Sequence, residues 1–194
     1  MKVIFASRNK GKIKEVSEIL GSKFEITSLP DIKGIDEIEE TGSTFEENAF
    51  IKAKTVYKIT GLPVIADDSG LEVQQLGGAP GVYSARYAGE KANDIENNNK
   101  LLEELKKHSV PHHAQFVCSA VFYDGKNEFS AKGAIKGTIL DAPRGANGFG
   151  YDPLFMPDDY SITTAEMLPA EKNKISHRAL AFTELKKLLL NYEG

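Results

Sequence analysis

The sequence predicts an α/β fold, a mixed β-sheet flanked by helices. Three observations carry that prediction. The chain opens as strand, polar loop and helix; runs of strand length then alternate with segments of helical periodicity; and two long runs in the second half, parted by Asp124-Gly125-Lys126-Asn127, read as a β-hairpin. Alternating elements favour parallel strands joined by helices, and a hairpin adds antiparallel pairing, so the sheet is mixed. At 194 residues the chain is large for one core and small for two, so one lobed domain over 1–194 is expected.

Val3-Ile4-Phe5-Ala6 is a short apolar strand that runs into Ser7-Arg8-Asn9-Lys10-Gly11-Lys12, after which Ile13, Val16, Ile19 and Leu20 follow at helical spacing. Phe24 to Leu29 offers a second strand, and the acidic, aperiodic stretch from Asp31 to Gly42 reads as a loop. A helix starts near Ser43, with Phe45, Ala49, Ala53 and Val56 as its buried stripe; Ser43 with Glu46, and Thr44 with Glu47, have capping-box spacing. The next strand ends at Ala66, before Asp67-Asp68-Ser69-Gly70, and Leu71 to Val73 offers another short one. Gly77-Gly78-Ala79-Pro80-Gly81 breaks the chain. Asn93 to Lys107 is a polar helix carrying Leu101, Leu102 and Leu105. The hairpin strands are Gln115 to Tyr123 and Glu128 to Ile139; a Gly-rich segment, Arg144 to Gly150, follows, and a final helix covers Asn173 to Leu190.

Composition narrows the function classes. Hydrophobic residues make up 41% and charged residues 27%, a globular balance, and a net charge of −4 offers no large basic surface for nucleic acid. No apolar run approaches the ~20 residues that span a bilayer, and the apolar run near Met1 is too short for a signal peptide. The single cysteine, Cys118, lies in an apolar run and excludes an internal disulfide or a thiolate metal cluster. A cytoplasmic protein with a small-molecule partner, no membrane and no nucleic acid is expected.

Several side chains invite chemistry. A strand feeding a basic, Gly-containing loop and then a helix N-terminus suits an anion, although Ala6 and Ile13 stand where a Walker A loop needs its first glycine and its hydroxyl. An ordinary capped helix start reads equally well. Acidic residues cluster at Glu37/Glu39/Glu40, Glu46/Glu47 and Asp67/Asp68. Capping accounts for the second cluster and a solvated loop for the first. Adjacent carboxylates at a strand end fit a Mg²⁺ site completed by substrate phosphates. Gly148-Phe149-Gly150-Tyr151-Asp152-Pro153 holds an aromatic between glycines, either a stacking platform for a base or a turn aromatic over the core. Lys172 and Ser176-His177-Arg178 begin the last helix.

Taken together and in order, Ser7-x-Asn9-x-x-Lys12, Glu39-Glu40-Thr41-Gly42, Thr44-Phe45-Glu46-Glu47-Asn48-Ala49, Ala66-Asp67-Asp68-Ser69-Gly70, Gly77 to Arg86, Gly148 to Pro153 and Lys172-x-x-x-Ser176-His177-Arg178 resemble the inosine triphosphate pyrophosphatase, or Ham1-like, family from the first strand to the last helix. One departure is Ser7, where many members carry Thr; the hydroxyl is kept. The resemblance implies an elongated ITPase-like fold with two lobes and a central cleft, a homodimer, and Mg²⁺-dependent hydrolysis of noncanonical purine nucleoside triphosphates (ITP, dITP, XTP) to the monophosphate and pyrophosphate. It assigns Ser7, Arg8, Asn9, Lys10, Gly11 and Lys12 to the triphosphate, Glu39 and Asp68 to the metal, and Asp68 also to the proton of the attacking water. Ser69, Phe149, Gly150, Tyr151, Asp152, Lys172, His177 and Arg178 are assigned to the substrate, with Arg178 aimed at the purine O6 and Asp152 or a backbone carbonyl near N1–H. Two other readings are a pyrophosphatase for pyrimidine triphosphates, of the structurally similar Maf-like kind, and a nucleotide-binding module without catalysis. The Phe149 to Asp152 and His177-Arg178 motifs oppose the first, and the presence of Glu39 and Asp68 opposes the second.

Overall fold

The computed structural model describes residues 1–32, 34–36 and 38–192, so Glu37 lies outside the described residues. Among the described residues six strands, β1 (Lys2–Phe5), β2 (Glu25–Ser28), β3 (Val64–Val73), β4 (His112–Tyr123), β5 (Glu128–Ile139) and β6 (Phe155–Pro157), form one sheet in the order β2-β1-β3-β4-β5-β6. β1 pairs parallel with both β2 and β3, whereas β5 and β6 are antiparallel, so the sheet is mixed as predicted. The helices are α1 (Lys10–Leu20), α2 (Phe45–Thr60), α3 (Asp94–Leu105), α4 (Pro169–Ile175) and α5 (His177–Leu190).

The chain divides into two compact units. The first comprises 1–68, 118–133 and 177–194; the second comprises 69–117 and 134–176. In the first unit the strands sort their side chains by parity. Val3, Phe5, Ile65, Cys118, Ala120 and Phe122 join Val16 and Leu20 of α1 and Phe182, Leu185 and Leu189 of α5. Ile4, Ala6, Val64, Ala66 and Val121 instead pack with Ala49, Ala53 and Val56 of α2. Alternate residues of a strand point to opposite faces, so these are two cores on two faces of the same strands. The second unit has its own core, in which Leu71 and Val73 meet Leu101 and Leu105 of α3, Phe116, Tyr151, Leu154 and Phe155.

Three sequence expectations change. The strand expected to stop at Ala66 runs on to Val73, so the two aspartates lie within β3 and not at its end. The apolar residues on both sides of the pair, Val64 to Ala66 with Leu71 and Val73, are all buried, and the strand continues through the acids. The single final helix is two, because Ser176 is extended (ψ 151°) and its N–H closes the end of α4 on Lys172 O. β6 adds a strand that its three residues were too short to announce.

Candidate active site

Asp67 and Asp68 are adjacent in sequence but serve different faces of β3, so each carboxylate meets its own set of cationic partners. Asp67 follows the parity of Ile65, toward α1 and α5; Asp68 follows Ala66, toward α2. Both are buried.

On the first face, Asp67 Oδ2 lies 3.1 Å from Lys12 Nζ and 3.3 Å from Arg178 Nε. Arg178 also donates through Nη1 to Glu15 Oε2 at 2.5 Å. Burial alone would raise the Asp67 pKa, but the charges of Lys12, Arg178 and Lys52 outweigh it and hold the carboxyl well below the usual range. The Cys118 thiol, 3.8 Å from Asp67, is pushed far up by burial and by that carboxylate, so it is a core thiol. Lys12 is delivered by the local fold: α1 starts at Lys10 rather than Ile13, and Asn9 Oδ1 caps it by accepting from Lys12 N at 3.1 Å. Lys10, Gly11 and Lys12 thus form the first turn of α1, beside the strand-to-helix loop of Ser7 and Arg8. Arg8 donates to Ile35 O.

On the second face, Asp68 accepts from Asn48 Nδ2 at 3.2 Å, and Lys52 Nζ lies 3.5 Å from its Oδ1. The same ammonium donates to Glu40 at 2.6 Å. Asn48 and Lys52 are four residues apart on the buried side of α2 and therefore stack on one face. Thr44, whose side chain accepts from Glu47 N, caps this helix; Glu47 in turn accepts from the Ser43 N–H and hydroxyl. Burial pushes the Asp68 pKa up, Lys52 opposes, and the charges of Glu40 and Asp67 add to the rise. Burial would lower the Lys52 pKa, but Asp68, Glu40 and Asp67 raise it, so the amine stays charged. Glu39 is exposed, while Glu40 is the acid joined through Lys52 to Asp68.

In the second unit a separate assembly forms around Asp152. Its Oδ2 accepts from Phe149 N at 2.9 Å and Lys172 Nζ at 2.6 Å, and its Oδ1 accepts from Thr164 Oγ1 at 2.8 Å. Lys172 sits 4.9 Å from the centroid of the Phe149 ring, a cation–π contact. Gly148 has φ +78°, and a Cβ there would overlap the Asp152 carboxylate, so only glycine permits this loop. Tyr151 is a core residue whose hydroxyl donates to Ser84 O at 2.8 Å.

The structure therefore distributes the expected site residues. It groups Lys12, Asp67, Asp68 and Arg178 in the first unit, and Phe149, Asp152 and Lys172 in the second. Ser69, half-buried in β3, and Gly150 belong to the second unit, and the buried His177 to the first. Two roles change. Arg178, expected to reach a purine O6, is 1% exposed and braces Asp67 against Glu15. Asp152, expected near N1–H, has its oxygens engaged within its own loop and by Lys172 and Thr164. Sequence reading passed over Glu15 and Lys52, and it quoted Glu40 and Asn48 within motifs without giving either a role. A signal existed for Asn48 and Lys52, since polar residues three and seven positions after Phe45 fall on the apolar stripe of α2.

The donor set bears on a metal. Glu15 and Asp67 face Arg178, Asp67 also faces Lys12, and Asp68 and Glu40 face Lys52, so these carboxylates sit among cationic side chains. Among the described residues no three His, Cys, Asp or Glu side chains are grouped to hold an ion by themselves. A hard divalent cation that takes one or two carboxylates and completes its shell with water and phosphate fits this arrangement; a closed protein cage does not.

A mixed α/β sheet with buried carboxylates among lysines beside a helix N-terminus, and an aromatic loop backed by a further lysine, defines a protein for small, phosphate-bearing ligands. Comparison with known proteins makes this specific. The Ham1 family model matches residues 3–188, and the chain belongs to that family. It is 52% identical over 190 residues to the dITP/XTP pyrophosphatase of Bacillus licheniformis, covering 96% of this chain and 97% of that one. Its identity to the dITP/XTP pyrophosphatase of Bacillus subtilis is 50% over 189 residues, with 96% of each covered. The solved structure of a HAM1 protein from Coxiella burnetii superposes with a TM-score of 0.91 at 41% identity, covering 99% of this chain and 100% of that one.

Proposed function

We propose that this protein hydrolyses noncanonical purine nucleoside triphosphates, dITP, ITP and XTP, to the monophosphate and pyrophosphate, with Mg²⁺ as cofactor, as a cytoplasmic homodimer. The observation that carries the reaction is the Asp67–Asp68 pair of β3 with its lysines, in a chain half identical to relatives named for this chemistry. The dimer and the compartment rest on the family resemblance; among the described residues no helix is long and apolar enough to cross a membrane.

Asp68 and an acid of the Glu39-Glu40 pair would hold the Mg²⁺. When bound, the ion offsets charge on phosphate oxygens and makes water a better nucleophile. Asp68 takes the proton of the attacking water. Lys12 and the backbone N–H groups opening α1 bind the phosphates and stabilise the departing pyrophosphate. Asp67 holds Lys12 and Arg178 in place. Phe149, flanked by glycines and backed by Lys172, stacks on the purine.

The test is a pyrophosphate-release panel over standard and noncanonical triphosphates, with and without chelator. dITP and XTP turn over with intact pyrophosphate as product, ATP is poor, EDTA abolishes the rate, and Mg²⁺ or Mn²⁺ restores it. Release of orthophosphate and a diphosphate would reject the pyrophosphatase reading. Full turnover in EDTA would reject the metal.

A further inference from the structure

The loop that presents Phe149 is held from outside as well as from within. Gly150 N–H donates to Asp94 Oδ2 at 2.7 Å, and Gly150 O accepts from Asn98 Nδ2 at 3.1 Å. Asp94 and Asn98 are four residues apart, one turn, at the start of α3. The helix does not need Asp94 as its cap: Asn93 Oδ1 already accepts from Glu96 N at 3.0 Å, and Glu96 returns the bond to Asn93 N at 2.8 Å. Asp94 is thus at liberty to reach across to the loop. The peptide before Phe149 is pinned by Asp152 and the peptide after it by Asp94, which fixes both torsions of the aromatic residue. Gly150 itself has φ +62°, and no atom of the protein beyond its chain neighbours lies within 4 Å of where a Cβ would be.

We propose that Asp94 and Asn98 are positioning residues for base recognition: they clamp the two peptide groups of Gly150 and set the angle at which Phe149 meets the purine. This rests on the reading of Phe149 as the stacking platform. A clamp of this kind leaves the phosphate-binding residues of the first unit untouched, so its loss weakens binding of the nucleotide but not of an inorganic phosphate ligand.

The experiment compares Asp94→Ala, Asn98→Ala, Asp94→Asn and Phe149→Ala for dITP hydrolysis, inhibition by pyrophosphate, and thermal melting. With one or two hydrogen bonds and part of a stacking contact at stake, each α3 alanine variant raises KM for dITP about five- to tenfold with kcat within about twofold. The inhibition constant of pyrophosphate stays at the wild-type value. Asp94→Asn keeps an acceptor and restores KM. Combining Asp94→Ala with Phe149→Ala adds nothing to the Phe149→Ala defect, because the clamp acts through that ring. If Phe149→Ala raises KM while both α3 alanine variants leave it unchanged, the clamp is overturned and the stacking platform stands. If Phe149→Ala itself leaves KM unchanged, the platform falls and the clamp with it. Parallel losses in melting temperature and pyrophosphate inhibition would reduce both α3 residues to general scaffolding and overturn the proposal.

Discussion

Arg178 is buried between the carboxylates of Asp67 and Glu15, and removing it would take one cationic partner from each. Breaking such a pair by deleting one partner costs about 3–5 kcal/mol, so Arg178→Ala is expected to lower the melting temperature sharply while any fold-competent protein keeps its ITP-over-ATP ratio. Differential scanning calorimetry and kcat/KM for both nucleotides check the two halves. Acid behaviour follows from Asp67. Its folded pKa is depressed below the unfolded value of about 3.9, so its stabilisation is complete above that pH and is lost as pH falls through the folded value. Arg178→Ala removes part of the cause, and its stability should fall less steeply below about pH 4 than that of the parent, as urea titrations across pH would show. At this scale the sequence displayed the acidic pair and the basic loop but not their partners. Nothing local to Glu15 and Arg178, which lie 163 positions apart, announces that they meet.

Elements were more legible than their ends. Periodicity located α1, α2, α3, α5 and the hairpin, because one buried face repeats every few residues. It misplaced the end of β3, since two aspartates are a poor strand signal until their counter-charges on α1, α2 and α5 are known. It also merged α4 with α5, because Ser176 carries no breaker signature. The close packing of β5 on α5 was invisible for a related reason: it depends on an absent side chain. A Cβ on Gly133 would overlap His177 O and Ala181 N of α5. Gly133→Ala must displace that helix, and a loss of about 1–3 kcal/mol is expected, read from chemical denaturation. Since α5 carries Arg178, activity should decline in step with stability.

Across the whole molecule the candidate phosphate-directed side chains belong to the first unit and the candidate stacking aromatic to the second, each unit with its own hydrophobic core. That division makes the two kinds of binding separable. Inorganic tripolyphosphate is expected to compete with dITP, with an inhibition constant that rises about tenfold or more in Lys12→Ala, where a charge-assisted contact is lost, and stays unchanged in Phe149→Ala. Equal losses in both variants would show that the halves do not act separately. The family motifs ordered these residues along the chain, yet the sequence alone gave no sign that the boundary between units falls inside β3, directly after Asp68.

The alternation along β3 has an evolutionary corollary. Because Asp67 and Asp68 face different layers, the segment from Val64 to Asp68 works like a reading frame with a period of two. Loss or gain of a single residue there would hand each acid the other's neighbours: the carboxylate that belongs with Asn48 and Lys52 would meet Lys12 and Arg178, and the reverse. No compensating substitution at one site repairs such an exchange. Length changes in this lineage are therefore expected in the connecting loops, while the five residues from Val64 to Asp68 are preserved in number even where the identities of the first three drift.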